Sequence, residues 1–191
     1  MPASLQMVRR RSLGVDIKGG ERESFNMNKS KSYSTKNDLP QEIRDKMIPL
    51  LNARLADSID LQTQCKQAHW NVKGPSFIAL HELFDKINED VEEYVDLLAE
   101  RAVQLGGVAE GTLQSVIKGT GLKEYGAKGG SGHEHVQALS DALAAYGKSV
   151  RAAIDTSDQG GDNDTADLFT EISRGTDKWL WFVEAHLQAE R

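Results

Sequence analysis

The chain has one cysteine among its 191 residues, Cys65, so neither a disulfide framework nor a cysteine-ligated zinc or iron-sulfur site is available to it. A reducing cytosol is the compartment that fits. Nor does any apolar run approach the ~20 residues needed to cross a bilayer. The Arg9-Arg10-Arg11 cluster leads only into Leu13-Gly14-Val15-Asp16-Ile17, which is too short and too charged for a secretory core. Export and membrane insertion are therefore not expected, and a cytoplasmic protein is. The length leaves no room for two sizeable domains, while 39% hydrophobic residues suffice for one core.

Charge is unevenly spread. The overall net charge of −6 combines +4 over residues 1–38 with −10 over the rest. The first 38 residues are rich in Gly, Ser, Asn and Lys and have no sustained apolar period, so they bury too little to offset their ordering entropy. A disordered basic N-terminal tail over 1–38 and a folded domain over 39–191 are expected. Met27 offers a second start, which would make residues 1–26 an upstream extension.

Within the domain the apolar period is helical. Asn37-Asp38 before Leu39-Pro40 reads as a capped helix start, followed by Ile43, Met47, Leu50, Leu51, Leu55, Ile59, Cys65 and Ala68 to about Asn71. Pro49 falls inside this run, which implies a kink or a short leading helix. After a turn at Lys73-Gly74-Pro75-Ser76, a second helix is expected from about Ser76 to Leu105, stopped by Gly106-Gly107. Residues 108–132 carry seven glycines and a short helical stretch at Thr112 to Ile117, the make-up of a long crossover. Two more helices follow, about His133 to Thr156 and, capped by Asp162-Asn163-Asp164, on to about Leu187. Four helices with one long crossover after the second describe an all-α, ferritin-like four-helix bundle.

Two imidazoles and three carboxylates stand out on the first two helices: His69, His81, Asp85, Asp96 and Glu100, a donor set suited to a borderline transition metal such as iron. At about 100° per residue, His81, Asp85, Asp96 and Glu100 lie at roughly 0°, 40°, 60° and 100° around the second helix, all on one face. Their heights differ. Asp85 and Asp96 are roughly 16 Å apart along the axis at ~1.5 Å per residue, too far to share one metal cluster. A second copy of the helix, antiparallel about a two-fold axis near Asp90 and Val91, would set His81 and Asp85 of one subunit opposite Asp96 and Glu100 of the other. The spacing therefore predicts an intersubunit metal site, made twice per dimer. The neighbouring acidic residues Glu89, Asp90, Glu92 and Glu93 read as solvated surface.

The segments KQAHWNVKGPSFIALHELFD, DLLAERAVQLGG and DTADLFTEISRGTDKWLWFVEAHL resemble Dps, the miniferritin family of DNA-binding proteins from starved cells, over about residues 40–188. That resemblance implies a ferroxidase that oxidises Fe(II), preferentially with hydrogen peroxide and otherwise with oxygen. It further implies storage of ferric mineral inside a hollow homododecamer of tetrahedral symmetry, which shields DNA from oxidative damage. It maps the family's iron ligands onto His69, His81 and Asp85 of one subunit and Asp96 and Glu100 of its two-fold mate. Ferritins with an intrasubunit di-iron site use Glu-x-x-His pairs. Here the residues three before each histidine are Lys66, Ile78, Gly130, Gly132 and Val183, so no such pair exists.

Other residues carry lesser expectations. Trp70 reads as a packing residue placed where an aromatic could also intercept an oxidising equivalent, and Cys65 as a small buried hydrophobe. Asp162, Asp164 and Asp167 satisfy caps and helix dipole on one reading, and on the resemblance line an acidic pore. His133 and His135 read as exposed loop histidines. The basic tail supports a second function, nucleoid compaction, if many copies contact phosphates together.

Overall fold

The computed structural model describes residues 32–127 and 129–188. Among them the chain forms α1 (Gln41–Asn71), α2 (Phe77–Gln104), α3 (Leu113–Gly119), α4 (Gly132–Gly160) and α5 (Asn163–Ala185), and no strand. The helices are long because their apolar residues recur at intervals that keep one face buried. Leu51, Leu55, Leu61 and Cys65 of α1 meet Leu80, Phe84, Ile87 and Leu98 of α2, Leu139, Leu143 and Tyr146 of α4, and Phe169 and Ile172 of α5 in one core. Each such side chain, fully buried, contributes about 1.5–3 kcal/mol. The pairs α1/α2 and α4/α5 pack as hairpins, α1 also lies on α4, and α5 touches α2. No helix among the described residues is long and apolar enough to cross a membrane.

Local chemistry at the helix ends differs from the sequence expectation in three places. Asp38 does not cap α1: Pro40 occupies the N-cap without a side-chain bond, and Asn37 instead accepts from the Leu39 amide at 2.9 Å. The helix then runs unbroken through Pro49, so no separate leading helix exists, at the cost of one missing ladder bond to the Asp45 carbonyl. Helix α4 continues past Thr156 to Gly160 and stops only where Gly161 takes the left-handed conformation, φ 82°. Asp162 caps α5 as expected, accepting from the Thr165 amide at 3.0 Å. Residues 32–40, partly within the stretch read as tail, run alongside the end of α2, where the Tyr33 amide donates to the Gly106 carbonyl at 2.7 Å. The remainder of that stretch, residues 1–31, lies outside the described residues.

The crossover is held by carboxylates on α1. Asp57, 1% exposed, accepts from the Gly121 amide at 2.7 Å while pairing with Arg54 at 2.7 Å. Asp60 accepts from the Thr120 hydroxyl at 2.8 Å. These bonds satisfy a loop amide and a loop hydroxyl that would otherwise lose water without a partner. They carry the chain across the bundle and so place α4 beside α1.

Candidate metal centre

His69 sits in the last turn of α1 and His81 in the second turn of α2, on either side of the short connection 72–76. The antiparallel hairpin brings their rings into a stack, with centroids 3.7 Å apart and planes 21° from parallel. Each Nδ1 lies 2.9 Å from the backbone carbonyl of the other residue. A carbonyl oxygen can only accept, so both Nδ1 atoms carry a hydrogen, which leaves Nε2 as the atom of each ring whose lone pair can face a metal. Backbone groups thus set the ring nitrogen and orientation that a metal ligand needs.

Asp85 follows one turn after His81, with Oδ1 3.9 Å from His69 Nδ1. Lys66, one turn before His69, reaches across and pairs with the same carboxylate oxygen. That bond from the lysine, against a smaller opposing effect of burial and with help from the lysine's charge, holds the Asp85 carboxyl below its ordinary 3.8. Asp85 is therefore an anion ready to ligate, and Lys66 is a cation standing in the way. Sequence reasoning missed the lysine's part, although its spacing three residues before His69 was a readable signal.

The chain brings together His69, His81 and Asp85 and leaves the other two candidates elsewhere. Asp96 and Glu100 are exposed on the same helix, eleven and fifteen residues beyond Asp85. Among the described residues no set of three or more metal-binding side chains closes up within one chain. Trp70 is 71% exposed, so it is not a packing residue of the subunit, because the final turn of α1 projects it away from the bundle.

Three further expectations are corrected. Asp90 is not solvated surface: it accepts from Trp179 Nε1 at 2.7 Å, tying α2 to α5. Asp162 cannot face a pore. It is 1% exposed and bound both by its own helix and by Arg101 Nη2 at 2.7 Å, with Arg101 Nε donating to Thr165 Oγ1 at 2.9 Å. Asp164 and Asp167, by contrast, are exposed. His135 is not a loop histidine but is 1% exposed beneath the crossover, whereas His133 is exposed. Cys65 is buried, and burial pushes its thiol up to about 12, which makes it a poor nucleophile.

Comparison with known proteins places this arrangement. Residues 48–191 match the ferritin-like domain. A "DNA protection during starvation protein" of Agrobacterium fabrum is 49% identical over 158 residues, covering 83% of this chain and 98% of that protein. The solved structure of DpsA14 from Streptomyces coelicolor superposes with a TM-score of 0.80 at 32% identity, over 84% of this chain and 95% of the other. The Dps protein of Vibrio cholerae, described as a member of a broad superfamily of ferritin-like diiron-carboxylate proteins, gives a TM-score of 0.75 at 25% identity, over 82% of this chain and all of the other. A helical bundle with a long crossover agrees with each of these likenesses, and the chain belongs to the Dps family of the ferritin-like superfamily.

Proposed function

We propose that the protein detoxifies and stores iron, oxidising Fe(II) at a dinuclear site shared by two subunits related by a two-fold axis. In this reading His69, His81 and Asp85 of one subunit bind iron together with Asp96 and Glu100 of the other. The observation that carries the proposal is the half-built site: two imidazoles with their Nδ1 hydrogens set and an ionised carboxylate beside them, while the remaining carboxylates stand exposed further along the same helix. Exposed apolar side chains beside the half-site, Trp70 and Ile78 among them, are what a subunit contact would cover.

Hydrogen peroxide is the preferred oxidant in this reading, with oxygen as a slower substitute. Peroxide takes one electron from each of two Fe(II) ions and, with two protons, leaves as two waters. Pairing the electrons avoids the one-electron route that releases hydroxyl radical. The ferric product collects inside a hollow homododecamer of tetrahedral symmetry in the cytoplasm, which spares DNA from oxidative damage. The names of the relatives support the DNA-protection part.

Subunit mixing tests the shared site. One variant carries His69→Ala, His81→Ala and Asp85→Ala, and the other Asp96→Ala and Glu100→Ala. Each alone is expected to be inactive under Fe(II) and peroxide, followed by ferric absorbance. Co-assembled at random in equal amounts, half the dimers are mixed and each holds one complete site and one empty one. About a quarter of wild-type activity should return. An intrachain site predicts no recovery, and that outcome removes the proposal.

The excess of basic residues over acidic ones in residues 1–38 supports a second reading, nucleoid compaction through the tail. Salt-dependent gel retardation of the full chain against a chain starting at Leu39 tests it, since removing the tail should abolish binding.

A further inference from the structure

The one fully buried histidine among the described residues, His135, is 1% exposed and plays no part in the site above. Its Nδ1 lies 2.6 Å from Tyr125 Oη, with the rings 18° from parallel and their centroids 6.0 Å apart. Burial raises the phenol well above its ordinary range, so Tyr125 is the donor in this bond. His135 Nδ1 then accepts, and the ring's own hydrogen sits on Nε2, which is buried without a hydrogen-bonding partner of good geometry. The surroundings suit a ring that receives a proton. Burial keeps the imidazole neutral, hence able to accept, while the Glu134 carboxylate and the backbone of Gly129 and Asn71 favour the charged form once it exists.

We propose that Tyr125 and His135 act as a proton-coupled electron donor that quenches one-electron oxidants formed when peroxide meets ferrous iron. The source of the oxidant rests on the iron reading above; the chemistry of the pair does not. A hydroxyl radical accepts one electron and becomes hydroxide. Tyr125 supplies that electron as its Oη–H bond breaks and an N–H bond forms at His135 Nδ1, leaving a neutral phenoxyl radical beside an imidazolium. A further Fe(II) then returns the electron and becomes Fe(III), and the proton moves back to the phenol. The pair is joined to the helix that carries His69: Gln64 of α1 donates to the Lys123 carbonyl, two residues before Tyr125, at 3.1 Å.

The decisive experiment uses metal-free protein, so that it stands apart from the iron reading. Azide radicals generated by pulse radiolysis oxidise aromatic side chains, and tyrosyl radical is followed by optical absorption and by electron paramagnetic resonance of rapidly frozen samples. Wild type should give a tyrosyl signal that Tyr125→Phe, which keeps the ring and its packing, diminishes, the exposed Tyr33 supplying part of the remainder. His135→Gln should form the signal about a hundredfold more slowly, the lower end of what a positioned proton acceptor contributes. Deuterium oxide as solvent should slow the wild-type step and supplies the same test without altering His135. Undiminished signal in Tyr125→Phe, or absence of an isotope effect in wild type, overturns the proposal. A Tyr125 radical with azide alongside no oxidation of Fe(II) refutes the iron reading and keeps the pair. Iron oxidation with no Tyr125 signal from azide refutes the pair alone.

Discussion

Replacing Lys66 with methionine should tighten Fe(II) binding, and the magnitude follows from the geometry. The ammonium and the Asp85 carboxylate are 34% and 37% exposed, so solvent screens them and the pair contributes only about 0.2–1 kcal/mol to stability. The variant should therefore fold. A metal ion entering against His69, His81 and Asp85 must first break this pair and then tolerate a positive charge nearby. Two unit charges 4 Å apart interact by about 1 kcal/mol in water; the double charge of the ion doubles this and a retreat of the lysine to twice the distance halves it again. Together the two effects come to about 1.2–2 kcal/mol, or roughly eightfold to thirtyfold in affinity. Methionine keeps the length and the apolar stem of lysine while removing the charge. Anaerobic titration calorimetry with Fe(II) at low ionic strength measures the change, and added salt should shrink it. Lys66→Arg, which keeps the charge, should leave the affinity near that of wild type. The gain also depends on pH. Asp85 loses its main stabilising partner in the methionine variant, so its carboxyl returns toward 3.8 and its advantage over wild type should fade as pH falls into that range. Unchanged or weaker binding by Lys66→Met near neutral pH would show that the lysine positions the carboxylate instead of competing for it, and would refute the reasoning.

Other outcomes are expected of the scaffold. Arg101→Met leaves the buried Asp162 carboxylate without its cation and should destabilise the protein by about 3–5 kcal/mol in chemical denaturation, with Asp162→Asn in the same chain restoring part of the loss. His135 is held below its ordinary 6.5 by burial, so the unfolded chain takes up its proton first. Stability from this group is complete above pH 6.5 and is lost as pH falls below that value, by up to about 1.4 kcal/mol per pH unit, and thermal melting of His135→Gln against wild type across that range isolates it. Gly175→Ala would drive a methyl group into the Tyr94 hydroxyl where α5 crosses α2, costing about 1–3 kcal/mol, of which Tyr94→Phe should recover a share.

How far the candidate site could be read in advance depended on which residues share a helix. His81, Asp85, Asp96 and Glu100 lie on α2, and one helical period sufficed to give them a common face and an impossible separation. His69 lies on α1, so its partnership with His81 needed the hairpin, and the reciprocal bonds between each ring and the other residue's carbonyl needed coordinates. Lys66 was visible as a residue near His69 but not as a partner of Asp85, because that contact crosses from α1 to α2. The same limit explains the misread surface residues: Asp90 finds Trp179 and His135 finds Tyr125, each pairing made by elements distant in the chain or by a loop without periodicity.

What the sequence determined by itself was the set of helices, their long crossover and the wide axial separation of Asp85 from Asp96 on one face of α2, since each follows from periodicity, glycine placement and rise per residue. Only the tertiary structure decided the Nδ1 hydrogens of His69 and His81, the pairing of Lys66 with Asp85, the burial of Asp162 against Arg101 and the pairing of Tyr125 with His135. The physical reason is one of range. Backbone geometry repeats over a few residues and is written locally, whereas desolvation and hydrogen-bond partnership depend on which distant segments come to lie against one another once the core has closed.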